Sequence, residues 1–177
     1  MKILSDVRLL LIGLWLGAAV FFIAVAQSAF AVLPSRELAG SVVSRTLLII
    51  NVSGLIIGLI LLVTSFFKRL NIKPIWLWTE RVLLIVFTAA CAVGQFVIGL
   101  WMSWIRAQIG RPIDEIAVDD PLRIQFNNLH QYSEWILMAA MVAALVLFFL
   151  IARKSVVKAV ENKNEFGIDP NLFKTPQ

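Results

Sequence analysis

The sequence contains little of what a soluble enzyme needs. Its 177 residues include one cysteine, one histidine and one tyrosine, and only 15% of the residues carry a charge. The single cysteine, Cys91, excludes a disulfide within the chain and a metal site built from several of its thiolates. An ordinary soluble domain has about 25% charged residues. The net charge of +5 lies beside apolar segments, which favours membrane contact over nucleic-acid binding.

The hydrophobic residues, 60% of the chain, fall into four long runs. These runs cover residues 9–33, 46–67, 82–105 and 135–152, and none of them contains proline or a charged residue. A helix needs roughly 20 apolar residues to cross a bilayer. Helix is also the only open-chain structure that satisfies its own backbone in lipid. We therefore predict an all-α integral membrane protein, a four-transmembrane-helix bundle.

The distribution of basic residues predicts the orientation of these spans. Four spans place both termini on one side of the membrane, and that side carries eleven lysine and arginine residues against five on the other. The positive-inside rule then predicts cytoplasmic termini, a periplasmic polar loop over 106–134 and a basic cytoplasmic tail over 153–177. The bacterial inner membrane is the expected location. An alternative is a secretory signal peptide, because residues 24–26 resemble a cleavage site.

Small residues four positions apart occur in every span. Gly13 and Gly17 form such a pair in the first span, and Gly54 and Gly58 form another in the second. Residues at this spacing share one face of a helix and let helix backbones approach closely in lipid. The pairs predict a compact bundle that packs with itself or with a larger membrane complex.

Three amide side chains interrupt the apolar runs: Gln27, Asn51 and Gln95. An amide in hydrocarbon needs a hydrogen-bonding partner, so we predict that Asn51 and Gln95 face the bundle interior. There they act as links between helices, or all three amides line a path for a small solute. The runs contain no carboxylate or lysine, which argues against a proton-coupled pump.

The longest polar stretch covers residues 110–135 and contains the only histidine. Asp119, Asp120 and Pro121 predict the start of a helix that runs straight into the fourth span. One face of this helix is predicted to carry Leu122, Phe126, Leu129 and Ser133. The acidic residues of the loop are expected to form solvated pairs with Arg106, Arg111 and Arg123, each worth little energy.

His130 allows three interpretations. It forms hydrogen bonds to a neighbouring helix, or it is a ligand of haem or copper, or it is a base beside Ser133. A catalytic triad also needs an orienting acid and an oxyanion site, and neither is evident. Met138 and Met141 lie about 12 and 16 Å further along the helix, too far to share an ion with His130. We predict no catalytic residues, no metal site and no cofactor, with haem or copper on His130 as the alternative.

Two groups of short motifs carry a family resemblance. The first group is Gly13-Leu14-Trp15-Leu16-Gly17, Phe21-Phe22, Ala29-Phe30 with Leu33, and Ala39-Gly40. The second group consists of Asp114, Asp119, Arg123, Phe126, Leu129, His130 and Ser133. Together they resemble the transmembrane protein 205-like family (domain of unknown function 4149). Gln27 departs from the pattern, because members often have proline at that place.

The resemblance implies a four-span membrane protein of a family with no agreed biochemical activity and many bacterial members. A eukaryotic member is associated with resistance to platinum drugs. The family is distantly similar to membrane proteins of the copper-resistance D type and to a haem-pathway oxidase that uses membrane histidines, but fold-level similarity assigns no function. We expect a non-enzymatic structural or accessory subunit, with transport of a small solute or metal drug as a further alternative.

Overall fold

The computed structural model describes the backbone of residues 2–66 and 74–165 and the side chains of residues 3–66 and 75–153. Its helices are α1 (Lys2–Val32), α2 (Arg36–Ser65), α3 (Pro74–Ala92), α4 (Leu100–Ile109) and α5 (Pro121–Glu165), with a π-helical segment (Val93–Gly99) between α3 and α4 and a short 3-10 turn (Ile113–Glu115) before α5. Four stretches are long and apolar enough to cross a membrane: Ile3–Val32, Arg36–Ser65, Ile75–Ile109 and Pro121–Arg153. The described residues contain no strand, and the predicted all-α fold with four spanning helices is confirmed.

The helices extend beyond the apolar runs from which they were predicted. α1 continues unbroken through residues 24–26, and α2 begins ten residues before the second run, where the Ser35 hydroxyl accepts a 3.2 Å hydrogen bond from the Leu38 amide. α5 continues past residue 153 to Glu165, and the last twelve residues of the predicted tail lie outside the described part. Polar residues at a membrane boundary still satisfy their backbone by continuing the helix, so charge does not mark the helix ends.

The four spanning rods are α1, α2, α5 and a third rod made of α3, the π segment and α4. They form a square in which neighbouring rods are antiparallel. α1 packs against α2 and α5, and α3 packs against the same two helices. α1 and α3 therefore face each other across a diagonal, and their side chains meet in the centre. The Trp15 and Phe87 rings lie there in edge-to-face contact, with 4.6 Å between centroids. The Trp15 indole also donates a 2.9 Å hydrogen bond to the Ile50 carbonyl of α2, so the polar group of this buried ring is satisfied.

The contact between α2 and α3 is built from small residues. A Cβ atom added at Gly54 would lie 2.5 Å from Trp15 Nε1 and 2.6 Å from Cys91 Sγ. A Cβ atom added at Gly58 would lie 2.3 Å from Thr88 Oγ1. No side chain fits at either position without displacement of its neighbours. The second-span glycine pair therefore lies in a helix contact, as its spacing predicts.

The first-span pair behaves differently. A Cβ atom at Gly13 would approach Phe148 of α5 at 3.2 Å, which places Gly13 in the bundle. A Cβ atom at Gly17 would have no atom within 4 Å, and Gly17 is exposed on the outside of α1. Only half of this pair contributes to packing within the chain.

Replacement of Gly54 by alanine is expected to destabilise the bundle by about 1–3 kcal/mol, because the added methyl group overlaps Trp15 and Cys91. Gly17→Ala is the matched control and is expected to leave stability unchanged or slightly raised, since alanine is the better helix former. Denaturant titration in a mild detergent measures both variants. Equal unfolding midpoints for the two variants would contradict the packing described for α2 and α3.

Candidate functional site

A buried ion pair joins α1 to α3 at the end of the bundle that holds the N-terminus. Arg8 Nη2 donates a 2.7 Å hydrogen bond to Glu80 Oε1, and both side chains are 1% exposed. The same nitrogen donates to the Leu61 carbonyl of α2 at 3.1 Å. Leu61 lies near the C-terminal end of α2, where the helix dipole favours a cation. One guanidinium group thus connects three of the four rods.

This pair overturns the expectation that the spans contain no buried charge. Arg8 lies just before the first apolar run, and Glu80 lies just before the third. Both were predicted outside the spans, but α1 and α3 begin earlier than the runs and carry them into the core. The argument against buried carboxylates therefore fails at Glu80.

The guanidinium of Arg8 is only partly satisfied. Its Nε and Nη1 atoms are buried and have no hydrogen-bonding partner among the described residues. An arginine has five N–H donors, and the two bonds from Nη2 leave three of them unused. The neighbouring Arg81 donates from Nη2 to the Ser65 carbonyl at 3.3 Å, lies 4.6 Å from the Phe66 ring, and also has a buried Nε without such a partner. Buried donors of this kind are costly, and those found among the described residues all belong to these two arginines.

The helical spacing of the sequence does signal these two residues. On α1 the buried positions are Arg8, Ile12, Trp15, Ala19, Phe22 and Ala29. On α3 they are Glu80, Leu84, Phe87, Thr88 and Cys91. Each charged residue lies four residues before the first apolar member of a buried helix face, so extending the helical periodicity beyond the apolar run finds both.

The three intramembrane amides do not lie together. Asn51 is 5% exposed and packs against Gly94 of the π segment, where an added Cβ would lie 3.1 Å from Asn51 Nδ2. Gln95 is half-buried in the same segment, with its amide beside Gly99. Gln27 is exposed on α1. Asn51 thus lies at the contact of α2 with the π segment, Gln95 lies beside a glycine of its own segment, and Gln27 lies on the outside of α1, so the three do not line one path.

At the opposite end, the polar loop is fastened onto α5. Asp120 precedes the helix, and its carboxylate accepts a 2.8 Å hydrogen bond from the Leu122 amide. The Arg123 guanidinium donates to the Ile116 carbonyl, which ties the loop to the first turn of α5. Helix α5 begins at Pro121 and runs through the fourth span without interruption, as the Asp-Pro sequence predicts.

The motif residues at the start of α5 divide between two faces of the helix. Phe126, Leu129 and Ser133 are buried, and the first two pack with Ile98 and Ile105 in a second apolar cluster.

 His130 and Glu134 lie on the outer face, about half to two-thirds exposed, with 3.4 Å between His130 Nε2 and Glu134 Oε1. Ser133 therefore points away from His130, which leaves no base and nucleophile in contact. The interpretation of His130 as a base beside Ser133 thus places the two side chains on different faces of α5, and the charged group beside His130 is Glu134.

The loop carboxylates pair differently from the prediction. Asp114 lies 3.6 Å from Arg36 at the start of α2, and both side chains are largely exposed. Arg106 instead donates to the Ser44 hydroxyl at 3.4 Å and lies 5.1 Å from the Phe126 ring, so it links α4 to α2 and α5. Asp119 is exposed. None of the described residues form a group of three or more histidine, cysteine or carboxylate side chains that could hold a metal ion.

Loss of one partner of the Arg8–Glu80 pair is expected to destabilise the protein by about 3–5 kcal/mol, because a buried charge is left unpaired. Arg8→Met and Glu80→Leu together are expected to recover most of that loss, since apolar residues of similar volume need no partner. Denaturant titration of the two single variants and the double variant measures the coupling.

The exposed pair supplies the matched control. Arg36→Met is expected to change the free energy of unfolding by less than about 1 kcal/mol, as solvated pairs contribute little. Additive effects of the Arg8 and Glu80 substitutions would contradict a buried, coupled pair.

Comparison with known proteins gives one family. The family model described as "Domain of unknown function (DUF4149)" matches residues 10–111, which is more than half of the chain. The match includes Trp15, the small-residue contact of α2 with α3 and the π segment, and it ends before the segment that contains His130. No curated protein and no solved structure matches the chain. The four-span bundle described here belongs to the DUF4149 family.

Proposed function

We propose that the protein is a non-enzymatic membrane subunit that associates with a second copy of itself through the outer face of α1. The proposal rests on one observation: α1 turns small residues and an amide toward the lipid. This face is separate from the contacts that hold the bundle together. A structural or accessory role of this kind requires no catalytic group and no cofactor.

The small residues follow a regular spacing. Gly17, Ala24 and Ala31 are exposed at seven-residue intervals along α1. Seven residues are close to two helical turns, so the three positions form one stripe. Small residues on such a stripe let a second helix approach closely, and close packing is what drives helix association in lipid. Gly17 has no atom of its own chain within 4 Å of an added Cβ, which leaves room for another backbone.

Gln27 adds a polar reason for association. Its side chain is exposed on the same side of α1 as Ala24 and Ala31, and no hydrogen bond to it occurs within the described part of the chain. An amide that faces hydrocarbon gains from a partner on a neighbouring helix, typically by about 0.6–2 kcal/mol. In a symmetric dimer, the two Gln27 side chains supply donor and acceptor to each other.

The charge distribution supports an orientation for this subunit. The end that holds the N-terminus carries the majority of the lysine and arginine residues, so we place both termini in the cytoplasm and the loop at 106–134 in the periplasm of a bacterial inner membrane. The motif that contains Phe126, Leu129, His130 and Ser133 supports a narrower relationship to the transmembrane protein 205-like branch.

Two other functions have weaker support. A haem or copper site at His130 has Glu134 as its nearest charged group, and an absorption spectrum with metal analysis of the purified protein tests it. A path for a small solute has Asn51, a buried amide with no side-chain hydrogen bond among the described residues, as its supporting observation. Flux into liposomes that contain the protein, compared with its Asn51→Leu variant, tests that function.

Energy transfer between labelled copies in liposomes measures the proposed association. Gly17→Leu and Gln27→Leu are each expected to weaken it, by roughly threefold to thirtyfold for the amide, because each removes a feature of the same stripe. Ala89→Leu is the control, since Ala89 is exposed on α3, diagonally opposite α1. A monomer at all protein-to-lipid ratios, or equal effects of all three substitutions, would rule out α1 as the association face.

A further inference from the structure

The end of the bundle that holds the N-terminus has more positive charge in its interior than Glu80 balances. Glu80 pairs with Arg8 at 2.7 Å, and Arg81 forms no ion pair with a carboxylate of the described residues. Asp6 is exposed on α1 and points away from Arg8, because residues two apart on a helix lie about 200° apart around its axis. Two guanidinium groups therefore share one carboxylate, which leaves one positive charge to be balanced.

Both guanidinium groups bind to the last turn of α2. Arg8 Nη2 donates to the Leu61 carbonyl at 3.1 Å, and Arg81 Nη2 donates to the Ser65 carbonyl at 3.3 Å. These carbonyls are four residues apart, about 6 Å along the helix axis. Hydrogen bonds from arginine to an anionic oxygen are about 2.7–2.9 Å long, so one tetrahedral anion can accept from two guanidinium groups at this separation.

The two arginines also have unused donors. Nε and Nη1 of Arg8 and Nε of Arg81 are buried and have no hydrogen-bonding partner in the described part of the chain. Nη1 of Arg81 is not among these buried atoms and forms no hydrogen bond there, so it is open to the outside. Arg81 is half-buried, whereas Arg8 is 1% exposed. An anion that arrives from outside therefore meets Arg81 first, with the more buried Arg8 on its inner side.

Arg81 lies at the edge of the hydrocarbon. Its guanidinium group is 4.6 Å from the centroid of the Phe66 ring, and the Phe66 side chain is 64% exposed. Ile75 and Trp78, in the first turns of α3, are 69% and 66% exposed. Apolar and indole side chains exposed at the end of a span lie where acyl chains meet the head groups. This depth favours the phosphate of a phospholipid over a free anion in water.

We propose that Arg81, with Arg8 behind it, binds the phosphodiester group of an anionic phospholipid such as phosphatidylglycerol. The phosphodiester carries one negative charge, which matches the positive charge that Glu80 leaves unbalanced. Arginine suits this ligand because its planar fork binds phosphate oxygens in pairs, and basic pockets between transmembrane helices hold anionic head groups. Because Arg8 lies on the inner face of α1, the site is independent of the proposed association through the outer face.

The test titrates the full-length protein, stripped of lipid in a mild detergent, with phosphatidylglycerol and with phosphatidylcholine of the same acyl chains. Native mass spectrometry counts the bound lipids. Phosphatidylglycerol is expected to bind about tenfold more tightly, because the choline cation adds positive charge to a site that already has it in excess. Inorganic phosphate is expected not to displace the lipid, since it has no acyl chain to contact Phe66 and α3.

Arg153 supplies the matched control. It lies at the same end of the bundle, 5.5 Å from the Trp76 ring, but its side chain is exposed. Arg81→Gln is expected to weaken phosphatidylglycerol binding by about tenfold to a hundredfold, because it removes charge-assisted hydrogen bonds. Arg153→Gln removes the same charge and is expected to weaken binding by less than about threefold. Arg81→Lys keeps the charge without the planar fork and is expected to lie between the native protein and Arg81→Gln.

A double variant measures the contribution of Arg8. Arg8→Met with Glu80→Leu removes one charge of each sign and is expected to retain the bundle. Its binding of phosphatidylglycerol is expected to fall by about threefold to thirtyfold, because the inner donors are lost while the net charge is unchanged. Unchanged binding by the double variant would overturn the role of Arg8. Equal losses in Arg81→Gln and Arg153→Gln, equal affinity for the two lipids, or displacement by inorganic phosphate would each overturn the lipid site.

Discussion

A buried ion pair sets the relation between α1 and α3. These helices are diagonal in the square, so only long side chains connect them. Arg8 meets Glu80, and seven residues further along both helices Trp15 meets Phe87. The two contacts have the same offset along the chain, which fixes the helices in one register. A charge pair is suited to this task because a shift of one helix would leave both charges buried and unpaired, at a cost of several kcal/mol.

The other contacts fit around this diagonal. Close approach of α2 to α3 depends on the absence of side chains at Gly54 and Gly58, and it places the Ile50 carbonyl where the Trp15 indole reaches it. Above this contact the π segment redirects the third rod, so that α4 packs mainly against α5. The half of the bundle near the loop is consequently held by a small apolar cluster and by Arg106. The third rod therefore packs tightly against α2 through α3 and more loosely near the polar loop through α4.

The sequence predicts the fold better than the polar chemistry. The four apolar runs are enough to predict the four spanning rods, because bilayer thickness sets the length of each run. Asp120 and Pro121 are enough to predict the start of α5, because helix capping is a local constraint. Arg8 and Glu80 were not predicted to be buried, because each span was taken to end at the nearest charged residue. Burial of a charged side chain depends on a partner that is distant in sequence. The directions of Gln27 and Gly17 also depend on which helix faces are covered, and that is a property of the assembled bundle. The π segment has no equivalent signal in apolar periodicity.

Cys91 lies in the middle of the contact between α2 and α3, 1% exposed, with its sulfur at the place that a side chain on Gly54 would occupy. It is also the only cysteine in the sequence. A thiol reagent can reach it only while the two helices are apart. The rate at which a thiol reagent modifies Cys91 in the unaltered protein therefore reports how often α2 and α3 separate.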